Sequence, residues 1–104
     1  MVQSAPVRQT ECIPKLRALA DETRWRIVEA LLVEELTVSE LVELLGVSQY
    51  NVSKHLRILR ESGIVVSAKE GKSVRSAVAP DLRARLRRQG RTLDLGCCQF
   101  RFGA

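Results

Sequence analysis

Three sets of side chains in this 104-residue chain can do chemistry. The first is thiol: Cys12 near the start, and the adjacent pair Cys97 and Cys98 in the stretch LDLGCCQFRF at residues 93–102. Adjacent thiolates suit soft ions such as trivalent arsenic or antimony, cadmium or mercury. They also suit oxidation to a disulfide or persulfide, and each Cys can equally serve as a small packing hydrophobe. The second set is the run Ser48, Gln49, Tyr50, Asn51, Ser53, Lys54, His55 and Arg57. Gln and Asn can pair bidentately with adenine and Ser is a permissive partner, while Lys54 and Arg57 are placed to meet phosphates. The third set is Lys69, Lys72 and Arg75, which extend the positive charge beyond that run.

Other chemistry finds little support. His55 is the one histidine, so no second imidazole can share a metal with it. No Cys-x-x-Cys precedes a helix, which argues against a dithiol reductase, and no pocket-forming second domain is expected, so the chain is not expected to be an enzyme. Three cysteines are an odd number. With no signal peptide and no apolar run long enough to span a membrane, the expected location is cytoplasmic, with no membrane partner and with free thiols.

Charge is distributed unevenly. Between Arg26 and Lys54 there is no Lys or Arg, while Glu29, Glu34, Glu35, Glu40 and Glu43 fall there. From Lys54 onward the basic residues dominate, giving a net charge of +5 for the chain. A basic second half on an acidic first half fits a polyanion-binding face or a solvated helix surface. Aromatic residues are only 4%, which suits a small helical domain better than a β-sandwich. A chain this short buries a thin core, so a partner subunit is expected to help.

The elements that must position these groups are legible in the spacing. Ile13, Leu16, Leu19 and Ala20 recur at helical spacing after a polar segment, residues 1–11, expected to be flexible. Asp21 can cap a second helix that buries Ile27, Val28, Leu31 and Leu32, with Trp25 at its edge. Thr37 and Glu40 have the spacing of a capping box, opening a short helix with Leu41, Leu44 and Leu45 that Gly46 ends. Ser48 can cap the next helix, which carries Val52, Leu56 and Leu59 on one face and Gln49, Tyr50, Ser53, Lys54 and Arg57 on the other. Gly63 ends it. Two β-rich runs flanking Glu70-Gly71-Lys72 predict a hairpin. Pro80 suits the start of a last helix over residues 81–89, with Leu82 and Leu86 as a narrow seam between arginines. The fold class is mainly α with a small β-hairpin wing: a winged helix-turn-helix at residues 12–90, followed by a cysteine-containing tail at residues 91–104.

The tail has its own pattern. Leu93 and Leu95 fall on odd positions, Phe100 and Phe102 on even ones. A regular strand cannot bury both pairs on one face, so a bulge or turn is expected at Gly96-Cys97-Cys98. That bend can bring the thiols toward a common side, which a straight strand would not.

The stretches ALADETRWRI (residues 18–27) and LGVSQYNVSKHLRILRESGIV (residues 45–65) closely resemble the ArsR/SmtB family of bacterial transcriptional repressors. The resemblance covers residues 13–86. It implies a homodimer whose first and last helices form the interface, with Ile13, Leu16, Leu19, Leu82 and Leu86 as the seam. It implies a double-stranded DNA operator of pseudo-palindromic sequence, repression, and release when an effector binds, often a metal or metalloid ion. The family's best-known arsenic site has Cys-x-Cys where this chain has Thr37 and Ser39. Its zinc site uses His and carboxylates on the last helix, where this chain has Asp81 followed by Arg83, Arg85, Arg87 and Arg88. Cys97, Cys98 and Cys12 remain as the candidate ligands for a soft ion, which would act as effector and is not required for folding. A switch by cysteine oxidation or persulfide, and a DNA-binding regulator with no small effector, stay open as alternatives.

Overall fold

The computed structural model describes residues 9–82 and 92–102. Helix α1 spans Gln9–Leu19 and α2 spans Glu22–Leu31. The first begins three residues inside the segment expected to be flexible. Asp21 sits between them in extended backbone, and its carboxylate accepts from the Arg24 backbone N–H, the N-cap the sequence indicates. A two-residue strand, β1 (Leu36–Thr37), runs directly into α3 (Val38–Leu45). Thr37 and Glu40 form the expected capping box, with Glu40 accepting from the Thr37 backbone N–H at 2.8 Å and Thr37 accepting from that of Glu40 at 3.1 Å. Gly46 ends α3 in the left-handed region at φ 67, where a side chain would be strained. After one intervening residue Ser48 caps α4 (Gln49–Glu61) by accepting from the Asn51 N–H.

The wing is an antiparallel hairpin, β2 (Val65–Glu70) and β3 (Ser73–Val78), turning at Gly71. Strand β1 adds to its open side in the order β1-β3-β2, pairing Leu36 with Ser76 and Thr37 with Arg75. Two residues are too few to show a strand period in the sequence. Alternation along the hairpin turns Val65, Ser76 and Val78 inward. Ser76 is fully buried, and its hydroxyl is satisfied by Ser67 at 2.8 Å.

Helix α4 is held by Val52, Leu56 and Leu59, all buried, against Ile27, Val28 and Leu31 of α2, Leu41 of α3 and Ile64. A second clamp is polar. Arg24 on α2 donates from Nε to the Ala18 carbonyl at 2.6 Å and from Nη1 to Nδ1 of His55 on α4 at 3.0 Å. Because a guanidinium can only donate, Nδ1 must accept, so this contact requires the neutral imidazole. Burial holds the His55 pKa below its ordinary value, against the pull of Asp21, whose Oδ2 lies 4.0 Å from Nδ1; Arg24 and Lys54 push the same way as burial.

The tail is an ordered hairpin, β4 (Thr92–Asp94) and β5 (Gln99–Arg101), pairing Leu93 with Phe100. Leu93, Leu95 and Phe102 are buried in the common core. Phe102 stacks on Trp25 with ring centroids 4.1 Å apart, and Phe100 meets the same ring edge-on at 6.0 Å. Residues 80–82 begin the last helix, and the rest of it, with Leu86, lies outside the described residues. The dimer seam read from sequence is partly redrawn. Leu19 and Leu82 are buried within the single chain and Leu16 is half-buried, while Ile13 is 43% exposed. Among the described residues no helix is long and apolar enough to cross a membrane.

Two measurements test this packing. Leu93→Ala, in the tail, is expected to cost about 2–5 kcal/mol in urea denaturation, as for a core leucine rather than an appendage. The lowered His55 pKa contributes stability that is present above the ordinary imidazole value and lost as the pH falls through the folded value, because the unfolded chain then binds the extra proton. The melting temperature is therefore expected to fall below about pH 6.5, and to fall less steeply in His55→Gln.

Candidate DNA interface and thiol site

Burial of Val52, Leu56 and Leu59 fixes the rotation of α4, and so decides which side chains face outward. Gln49, Tyr50, Ser53, Lys54 and Arg57 are exposed, with Tyr50 at 75%. Ser48 is exposed but its hydroxyl is occupied as the cap, and Asn51 is half-buried. Arg57 pairs with Glu61 one turn along, Nε to Oε2 at 3.3 Å. At this exposure such a pair is weak and yields readily to a phosphate. His55 does not share this face. Its side chain is only 14% exposed and is turned toward Arg24 and Asp21, which corrects its placement among the DNA contacts.

The wing approaches the start of α4. A cleft of about 150 Å³ lies between them, lined by Gln49 and Ser53 of the helix, by Lys72, Ser73 and Val74 of the wing, and by Thr37, Val38 and Ser39. Lys69 and Lys72 are exposed. Arg75 is half-buried and its Nε donates to Glu70 Oε1 at 3.1 Å, a surface pair like that of Arg57. Ser39 and Ser73 join the cleft through tertiary contact. In sequence neither reads as part of a DNA-facing cleft: Ser73 is only a strand start, and Ser39 a helix start at a position where the resembled family carries a cysteine.

At the other end of the chain the three cysteines meet. The turn joining β4 to β5 is shaped by Asp94, whose Oδ1 accepts from the Gly96 N–H at 2.8 Å, and by Leu95 N–H donating to the Cys98 carbonyl at 2.9 Å. Gly96 adopts φ 94, the bend that the odd-to-even shift of apolar residues required. The turn lies over α1. Cys12, 3% exposed, is joined to the exposed Cys97 in a disulfide with their Cα atoms 6.6 Å apart. Cys98 is the free cysteine, half-buried, with its Sγ 3.7 Å from that of Cys97. The expectation of three free thiols is thereby corrected: 85 residues separate Cys12 from Cys97 in sequence, and only the folded hairpin sets them side by side. Among the described residues no group of three or more His, Cys, Asp or Glu side chains is placed to hold a metal ion.

Residues 21–67, the second helix through the start of the wing, match the profile described as "Bacterial regulatory protein, arsR family". The arsenical resistance operon repressor of Escherichia coli K12 is 45% identical over 74 residues, covering 69% of this chain and 62% of that protein. The transcriptional activator HlyU of Vibrio cholerae is 37% identical over 73 residues, covering 70% of this chain and 68% of that protein. Its structure superposes with a TM-score of 0.68 at 33% identity, over 86% of this chain and 95% of that one. The homodimeric winged helix-turn-helix DNA-binding domain of Mb0332 from Mycobacterium bovis, a possible ArsR-family regulator, superposes with a TM-score of 0.68 at 26% identity, over 74% of this chain and 71% of that one. The chain spans 58–62% of the length of curated relatives that it matches at 45–48% identity. The match in sequence and the shared winged helix together place this chain in the arsR family of bacterial regulatory proteins.

Proposed function

We propose that the chain is a cytoplasmic, homodimeric transcriptional repressor that leaves a pseudo-palindromic operator when a soft metal or metalloid ion binds its cysteines. The observation that carries the sensing part is that Cys12 of α1 is bonded to Cys97 of the turn, whose sulfur lies 3.7 Å from that of Cys98. Once Cys12 and Cys97 are reduced, three sulfurs stand together, the donor set that trivalent arsenic, antimony or cadmium favours. The DNA-binding part is supported by the exposed polar face of α4 beside the basic wing. A recognition helix entering the major groove by its N-terminal turns would present Gln49 and Ser53 to base edges, with Lys54, Arg57, Lys69 and Lys72 near phosphates. Two copies are needed to read two half-sites about one helical turn apart. The exposed Ile13, with the half-buried Leu16, supports α1 as part of the dimer contact.

The disulfide favours a second reading, in which oxidation alone changes operator affinity. The two are separated by measuring operator affinity of oxidised and reduced protein with no ion present. A large difference there supports direct redox control.

Two substitutions test operator binding. Gln49→Ala is expected to weaken specific binding by about 1–3 kcal/mol and relax preference at one base position. Lys72→Ala is expected to weaken binding to all sequences and lower the salt slope by about 1. For the sensor, reduced protein titrated with arsenite, antimonite, cadmium, mercury and zinc is expected to show thiolate absorbance changes and operator release together. Cys98→Ser is expected to retain operator binding and lose release. If no soft ion releases the operator from reduced wild type, ion sensing is wrong and the DNA-binding part stands on its own gel shifts.

A further inference from the structure

We infer that the Cys12–Cys97 disulfide is a redox gate on the ion site, so that the protein answers a soft ion only when reduced. This rests on the proposed trithiol site, and adds that ion and oxidant compete for the same sulfurs. In the oxidised state two of the three sulfurs are bonded to each other, and Cys98 is left as a single donor. One thiol is a poor site for ions that favour three.

The closed state can open without unfolding. The hairpin is anchored independently of the disulfide by Leu93, Leu95 and Phe102 in the core and by the stack of Phe102 on Trp25. Breaking the sulfur–sulfur bond therefore leaves Cys97 and Cys98 on the same ordered turn, above Cys12. The approach is one-sided. Cys12 is buried, while Cys97 is exposed, so a small thiol reductant meets the Cys97 sulfur. Its thiolate attacks that sulfur and forms a mixed disulfide, and Cys12 leaves as thiolate. A second reductant thiolate then attacks the reductant's sulfur, releasing Cys97 as thiolate and a molecule of oxidised reductant. Two electrons enter and two thiols are gained. The reverse needs an oxidant of the disulfide class, such as glutathione disulfide.

The test uses full-length wild type in two preparations. One is reduced with dithiothreitol, the other oxidised with glutathione disulfide, and both are freed of reagent before use. Thiols are counted, and arsenite and cadmium binding are measured by calorimetry and thiolate absorbance. The gate requires three thiols per chain in the first preparation and one in the second, with ion affinity about 100-fold or more weaker in the second and regained on reduction. Equal affinity in both preparations overturns the gate while leaving the ion site standing, and so does a treated sample that keeps all three thiols. If the reduced protein binds neither ion, the ion site and its gate fall together, and the thiol count still reports whether the disulfide forms.

Discussion

Everything in this molecule depends on how α4 is rotated about its own axis. Val52, Leu56 and Leu59 occupy one stripe and are all buried against α2, α3 and Ile64. Exposing such a stripe would forfeit about 1.5–3 kcal/mol for each large side chain, so other rotations are closed. Once the stripe is fixed, Gln49, Ser53, Lys54 and Arg57 must face out. The Arg24–His55 contact seals the intermediate side of the helix, and it ties α4 to the junction between α1 and α2. A side chain three positions from Val52 thus becomes structural, while one a single position from it faces solvent.

The C-terminal hairpin completes the core that this small chain lacks. Leu93, Leu95 and Phe102 fill space beside α1 and α2, and Trp25 gains an aromatic neighbour on its face and another at its edge. The same hairpin carries Cys97 and Cys98, and its turn is tied to Cys12 of α1. Arg24, next to Trp25, is bonded to the end of α1 and to α4, so the helix that bears the tail's aromatic contact also bears the contact to the recognition helix.

The charge pattern obeys the same division. Glu34, Glu35, Glu40 and Glu43 of the acidic first half are exposed around α3, and Lys54, Lys69 and Lys72 of the basic second half are exposed on α4 and the wing. Arg57 and Arg75 are paired, with Glu61 along α4 and with Glu70 across the hairpin. Sequence counts the charges of Arg75 and Glu70 and cannot show that the hairpin turn sets them side by side.

Local features are written in the amino-acid order itself. Asp21, the Thr37–Glu40 box, Gly46 and Ser48 each act within one turn of backbone, and each is where its spacing indicates. The wing and the bend at Gly96 are legible for the same reason, since strand alternation and its one-residue slip are local patterns. Long-range packing settles the remainder. It turns His55 inward, buries Leu19 and Leu82 within the chain, adds β1 to the wing and joins Cys12 to Cys97. Each of these rests on contact between residues far apart in the chain, or on which of two helix faces finds a partner. Neither is written in periodicity, because spacing fixes which residues share a face and not what that face will meet.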